Sequence, residues 1–354
     1  MKKPKGFLDA APHDDAVASV SQTSPSAAVN APDTKAPTGA AAIVRPEPDA
    51  LVRSAKGYAS EARAHGTRKA YAKHWTAFAA WCDEQGFCAL PAAPQTLALY
   101  LAARADQGRK VATLALAITA ISQAHQVAGQ PSPRSDRLVK ETWKGIRRRV
   151  GVAQNQKHPV SAKDIRSMLD ELPSGLIGLR DRALITLGFA GGFRRSELVA
   201  LNCDDLVFVP EGLEATVRRS KTDQEGAGHL KVIAYGSDPA TCPVRALQDW
   251  LELAGIGEGP VFRPINRHEQ LSDQRLTDFA VAFIIKRVAK KAGLATLQLS
   301  GHSLRAGFVT EAKKHGADDA AIMDQTGHKS LAMVHRYHRR PKKWEKPASA
   351  KLGL

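Results

Sequence analysis

Between Gly301 and Tyr337 the chain runs Gly301-His302-Ser303-Leu304-Arg305, then Gly327-His328, then Met333-Val334-His335-Arg336-Tyr337. On a helix, His302 and Arg305 are three apart and share one face. Both can then point at one anion, the arginine with a planar, permanently charged fork and the histidine with one ring nitrogen. Tyr337 brings a phenol oxygen, which becomes a nucleophile once its proton is removed. An arginine, two histidines and a tyrosine gathered in one place suit a phosphodiester, with the tyrosine attacking phosphorus. Taken one at a time, each of these residues is an ordinary occupant of a surface helix. Their order and spacing carry the meaning.

That order resembles the second signature box of the tyrosine recombinases, the family of phage integrases, Xer and Cre-like proteins. The first box should lie upstream. The stretch Gly192-Phe193-Arg194-Arg195-Ser196-Glu197-Leu198 resembles it, with an arginine two residues after a glycine and three before a glutamate. The resemblance makes Arg194 the catalytic arginine and Glu197 its supporting acid, with Arg195 the alternative. Glu197, three residues on, is spaced to brace the guanidinium or a nearby backbone group. The family also carries a lysine on a hairpin between the boxes. Lys221, in Ser220-Lys221-Thr222-Asp223-Gln224-Glu225-Gly226, is the match, with Lys231 and Arg219 as alternatives.

The resemblance implies a mechanism. Tyr337 attacks a DNA phosphate, giving a 3′-phosphotyrosine and a free 5′-hydroxyl. Arg194 and Arg305 stabilise the charge on the non-bridging oxygens. His302 accepts or relays the tyrosine proton, His328 donates a hydrogen bond to the phosphate, and Lys221 protonates the leaving 5′-oxygen. A free phenol has a pKa of about 10, so cations nearby are needed to favour the phenolate. Bond energy is kept in the phosphotyrosine link, so no ATP or other cofactor is expected. No metal is expected either: His335 and His338 are three apart, but no Cys or carboxylate stands at a suitable spacing. There is no carboxylate cluster for two-metal chemistry and no phosphate-binding G-x-x-x-x-G-K-[ST] loop.

Composition agrees with a polyanionic partner. The formal net charge is +16, and 43% of residues are hydrophobic, enough for real cores. No apolar run approaches the roughly 18–20 residues of a membrane span. The four cysteines (Cys82, Cys88, Cys203, Cys242) form no C-x-x-C pair and suggest reduced thiols in a cytoplasmic, nucleoid-associated protein.

The elements that must position these residues follow from the pattern along the chain. Residues 1–48 are rich in Ala, Pro, Ser, Asp and Thr, carry five Lys/Arg against six Asp/Glu up to residue 50, and read as disordered. Residues 49–152 read as all helix. Thr67 is the expected N-cap of a helix whose stripe is Tyr71, Trp75, Phe78 and Cys82, and further helices are expected over 94–107, 112–128 and 134–149. The last is basic, and Arg147, Arg148 and Arg149 at its end are candidates for DNA phosphate contacts. This segment resembles the family's SAM-like core-binding domain. A linker from Gly151 to Pro159 leads into a catalytic domain, 153–340, opened by Ser161 and Asp164 as an acidic capping pair.

An apolar helix over 176–190 precedes the first box. Strand-like runs at 206–209, 213–219 and 229–234 follow, the last two forming a hairpin. Amphipathic helices are expected over 243–254 and 276–292, and a packing helix that places His328 over 317–327; Lys286, Arg287 and Lys290 on the second are candidate DNA contacts. A basic tail, 341–354, would dock on a neighbouring protomer, touch DNA or be disordered. The fold class expected is mainly α with a small antiparallel β-sheet: a helical core-binding domain followed by an α+β catalytic domain. Double-stranded DNA is the expected partner, and the family implies a homotetramer on two DNA sites. The function expected is site-specific recombination, for a mobile element. Relaxation of DNA by a type IB topoisomerase and a non-catalytic DNA-binding regulator are the rivals.

Overall fold

The computed structural model describes residues 48–152, 158–221, 223, 225–297 and 299–335. Residues 1–47, the tail 341–354, His338 and Tyr337 lie outside the described residues. The chain divides into two compact units, up to Gln154 and from Asn155 on. Among the described residues no helix is long and apolar enough to cross a membrane.

Among the described residues of the first unit the regular elements are helices: α1 (Pro48–Glu61), α2 (His65–Gln85), α3 (Pro94–Asp106), α4 (Val111–Val127) and α5 (Arg137–Val150). Pro48, assigned from the sequence to the disordered segment, opens α1. The α2 helix starts before the expected cap: Ala64 is its N-cap, and its carbonyl accepts from Thr67 N and Arg68 N. Thr67 therefore sits inside the first turn. Phe78 and Cys82 of the expected stripe are buried, while Tyr71 and Trp75 are half-buried. Phe78 meets Tyr100 edge to face at 5.0 Å, and Leu97, Leu101, Leu114 and Ile121 close the core. A 3-10 turn (Pro133–Ser135) separates α4 from α5, so the last helix begins at Arg137, capped by Asp136, whose carboxylate accepts from Leu138 N at 2.7 Å. Arg147, Arg148 and Arg149 are exposed in the last turn of α5, where cations offset the helix dipole.

In the second unit, α6 (Ala162–Asp170) opens with the Ser161–Asp164 capping box, its two backbone bonds 2.9 and 3.1 Å. The apolar α7 (Leu176–Ala190) is the centre of the core, packed against α9 (Pro243–Leu253) and α11 (Gly301–Lys314). Between α8 (Arg195–Ala200) and α9 lies a three-stranded antiparallel sheet in the order β1 (Leu206–Val209), β2 (Gly212–Val217), β3 (His229–Ala234). The β2 strand stops two residues short of the expected Arg219; beyond Val217 the chain leaves the ladder, and Ser220 bridges Asp223. Leu213, Ala215, Val217 and Ile233 face the core, and so does Lys231. The fold is mainly α with one small antiparallel sheet.

Later come α10 (Asp278–Lys291) and α12 (Asp319–Thr326), and residues 331–335 are helical. One candidate DNA contact also has a partner within the fold. Lys286 and Lys290 on α10 are exposed, but Arg287 bonds to Asp181 of α7, a fully buried carboxylate that Arg180 also holds at 2.7 Å. A carboxylate taken out of water must be paired, and Arg287, still partly exposed, supplies one of its two partners.

Candidate active site

The α7 helix ends at Gly191-Gly192. Gly192 has φ +55°, and a Cβ there would come within 2.9 Å of the Phe308 ring, so only glycine turns the chain so tightly here. The turn delivers Arg194 as the N-cap of α8. Glu197, three residues on and 2% exposed, accepts from Arg194 N at 2.9 Å and from its guanidinium. One buried carboxylate thus caps the helix and aims the arginine.

Arg305 projects from α11 and is 1% exposed. It donates to Gly192 O at 2.7 Å and to Thr326 O, which ties the first-box turn to the end of α12. The α12 helix stops at Gly327 in the left-handed conformation (φ 64°), which turns the chain to present His328. The His328 ring is buried, with Nδ1 2.8 Å from Thr326 Oγ1. That hydroxyl is also 2.6 Å from Ile322 O. Two oxygens so close need a proton between them, so the hydroxyl donates to Ile322 and accepts from His328 Nδ1–H. In the neutral ring Nε2 is then a lone-pair acceptor. Donation from His328 to a phosphate, the role expected from the sequence, requires the imidazolium. Burial, and then Arg305, Arg194, His302 and Lys231, push the His328 pKa down to about 3.

His302, at the start of α11, is open to solvent. Partial desolvation in the crowded cleft, followed by the cations Arg305, Arg194, Arg195 and Lys221, holds its pKa below the ordinary imidazole range. The neutral form, able to take a proton from a phenol, is thereby favoured. Gly301 lets Arg195 cross this helix end, because a Cβ there would lie 2.2 Å from the arginine stem. Arg195 also stands 3.7 Å from Asp278.

Arg194, Arg305, His302, His328 and Lys221 therefore share one electrostatic neighbourhood. Lys221 is exposed, next to the Ser220–Asp223 bridge, while Lys231 is 1% exposed beneath the site. The Asp223 carboxylate accepts from the backbone of Gly226, Ala227 and Gly228 at 2.9–3.1 Å and shapes that loop. Arg194, Glu197, Ser220, Lys231, Thr326 and His328 line a cleft of 780 Å³. Thr326 and Asp223 were not singled out from the sequence; each hydroxyl or carboxylate acts on a neighbour a few residues away, a signal present but too common to read. Toward Tyr337, Val334 is fully buried against Val309 and Ile322, and His335 bonds Asp319 at 3.1 Å. The packing and the bond hold residues 331–335 against α11 and α12. Among the described residues there is no group of three or more His, Cys, Asp or Glu that could hold a metal.

A sequence model of the phage integrase family matches residues 158–343, more than half of the chain. The chain belongs to that family. It is a tyrosine recombinase, an enzyme of site-specific DNA recombination that cleaves and rejoins DNA through a phosphotyrosine. It is 43% identical over 291 residues to the integrase/recombinase XerD homolog of Selenomonas ruminantium, covering 81% of this chain and 85% of that one. It is 24% identical over 283 residues to the tyrosine recombinase XerD of Yersinia pestis, covering 77% and 86%. Among solved structures, a lambda integrase dimer bound to a COC′ core site superposes with a TM-score of 0.56 at 20% identity, covering 81% of this chain and 75% of that one. The Tn1549 transposon integrase in complex with transposon right-end DNA gives 0.57 at 14% identity, covering 84% and 98%. At those identities the two structures speak for the fold of the recombinase.

Proposed function

We propose that Tyr337 is the nucleophile of this recombinase and that Arg194, Arg305, His302, His328 and Lys221 form its cleavage site. The observation that carries the reading is the gathering of the two arginines, the two histidines and Lys221 in one neighbourhood, with Arg194 and His328 set by the turns at Gly192 and Gly327 and His302 and Arg305 carried on α11. Tyr337 Oη forms a bond to phosphorus as the P–O5′ bond breaks. The phenol proton passes to His302, and Lys221 gives a proton to the departing 5′-oxygen. Arg194 and Arg305 stabilise the charge that gathers on the non-bridging oxygens. A bound phosphate raises the proton affinity of His328, which then donates from Nε2. Glu197 keeps Arg194 aimed.

Beyond the site, Arg147, Arg148 and Arg149 of the first unit and Lys286 and Lys290 of α10 contact the DNA backbone, while Arg287 serves Asp181. The working assembly is a homotetramer on two DNA sites, and the enzyme moves a mobile element.

The test mixes purified protein with DNA tiled from both sides of its own gene and looks for a protein–DNA adduct that survives SDS. Wild type is compared with Tyr337→Phe. An adduct that needs Tyr337 and leaves a free 5′-hydroxyl is the expected result. Binding without an adduct, identical for the Phe variant, sinks the assignment. Relaxation of supercoiled DNA with no strand exchange between two cleaved sites would make the enzyme a topoisomerase in practice.

A further inference from the structure

On β3 the side chains alternate inward and outward, and the inward positions of the sheet are Leu213, Ala215, Val217, Ile233 and Lys231. Four of these five are apolar. An ammonium buried among them costs several kcal/mol unless strong partners replace its water. Its partners are specific: Lys231 Nζ donates to Gly191 O at 3.1 Å and to Gln325 O, and lies 5.0 Å from the centre of the Phe193 ring. Gly191 is the C-cap of α7, and Gln325 is in the last turn of α12. Carbonyls there lack an intrahelical donor and carry the negative end of the helix dipole. Lys231 thus neutralises two helix ends at once.

Arg305 does the same to the next pair of carbonyls, Gly192 O and Thr326 O. Two adjacent carbonyls before Arg194 are joined by two cations to two adjacent carbonyls before His328. Both side chains are 1% exposed, and Lys231 also lines the cleft, with its Nζ already engaged by two carbonyls and set against the Phe193 ring.

We propose that Lys231 is a positioning residue for strand cleavage: it ties the turn bearing Arg194 to the turn bearing His328, and so sets the spacing across which the phosphate is held. The proposal rests on the site assignment above. The ammonium is also poised to titrate. Burial brings its pKa down to about 7, with Glu197 of α8 and Asp324 of α12 favouring the charge and Arg305 of α11 and Arg194 opposing it. His328 is within electrostatic reach from its own turn. Above neutrality the clamp loses its charge, and its hold on the two dipole ends weakens.

The experiment measures single-turnover formation of the Tyr337 adduct by wild type, Lys231→Met and Lys231→Arg, on DNA with oxygen and with sulfur at the 5′-bridging position. A thiolate leaves without a proton, so the sulfur substrate bypasses any proton donor. Lys231→Met is expected to bind DNA as wild type does and to form the adduct about 10- to 100-fold more slowly, the scale of a misplacement of around 1 Å. Sulfur should not restore the rate. Adduct formation at the wild-type rate overturns the proposal, and so does full rescue by sulfur, which would make Lys231 a proton donor. Should Lys231→Met fail to fold, Lys231→Arg decides: its rate relative to wild type should rise from pH 6 to pH 9, because the guanidinium keeps its charge. A flat ratio overturns the proposal. No adduct from wild type itself would bring down the site assignment, a failure distinct from that of the clamp.

Discussion

His328 is kept neutral by its surroundings, and that has a consequence for stability. Its pKa of about 3 lies well below the 6.5 of an ordinary imidazole, through burial first and then the cations Arg305 and Arg194. Between those values the unfolded chain binds a proton that the folded site refuses. The stabilisation is therefore complete above pH 6.5 and is lost as pH falls toward 3. At pH 5 this group alone should cost about 2 kcal/mol relative to pH 7. His302 shifts in the same direction and adds to the slope. Urea unfolding at both pH values, on wild type and His328→Gln, checks it: the variant should lose less on acidification. Parallel losses would place the slope on other groups.

At the scale of elements, α7 and α10 carry no catalytic residue and still decide how the site is held. The α7 helix ends at the glycine pair before Arg194, and α10 is fastened to it by Arg287 on Asp181. Replacing Arg287 with Ala leaves the buried carboxylate with Arg180 alone and should cost about 3 kcal/mol. Lys290→Ala, on the same helix but exposed, should change stability by less than about 0.5 kcal/mol. Chemical denaturation of both variants separates the roles, and equal effects would mean that the Asp181 cluster bears no load. The hairpin loop has a different device: Asp223 gathers three backbone N–H groups beside Lys221, a local arrangement with no core beneath it.

For the whole molecule, charge is the governing quantity. A formal net charge of +16 on 354 residues favours a phosphate backbone wherever cations are free to reach it. Arg147, Arg148 and Arg149 are exposed at the end of α5, in a unit with its own core. Changing all three to Ala should weaken DNA binding and reduce the slope of log K against log salt by about 3, near 0.9 per lost phosphate contact. Thermal stability should fall only slightly, by the small helix-dipole contribution of exposed cations in a last turn. An unchanged salt slope in a binding titration would remove this helix end from the DNA interface.

Much was legible from local pattern. The helical stripe ending in Phe78 and Cys82, the Ser161–Asp164 capping box and the apolar run of α7 each act over a few residues, so the sequence by itself determined them. The order of the two boxes likewise sufficed to name the family. Helix starts were less legible: Thr67 has the chemistry of a cap, yet Ala64 takes the position because its carbonyl already accepts from Thr67 and Arg68. Only the tertiary structure decided which cations are spent on the fold. Arg287 meets Asp181 across 106 positions, Arg305 meets Gly192 across 113, and Lys231 meets Gln325 across 94. A lysine on an alternating strand, or an arginine on a basic helix face, looks the same in sequence whether it meets solvent, DNA or a buried carbonyl. What separates these fates is the desolvation of the group and the partner it finds, and both come from elements brought together only when the chain folds.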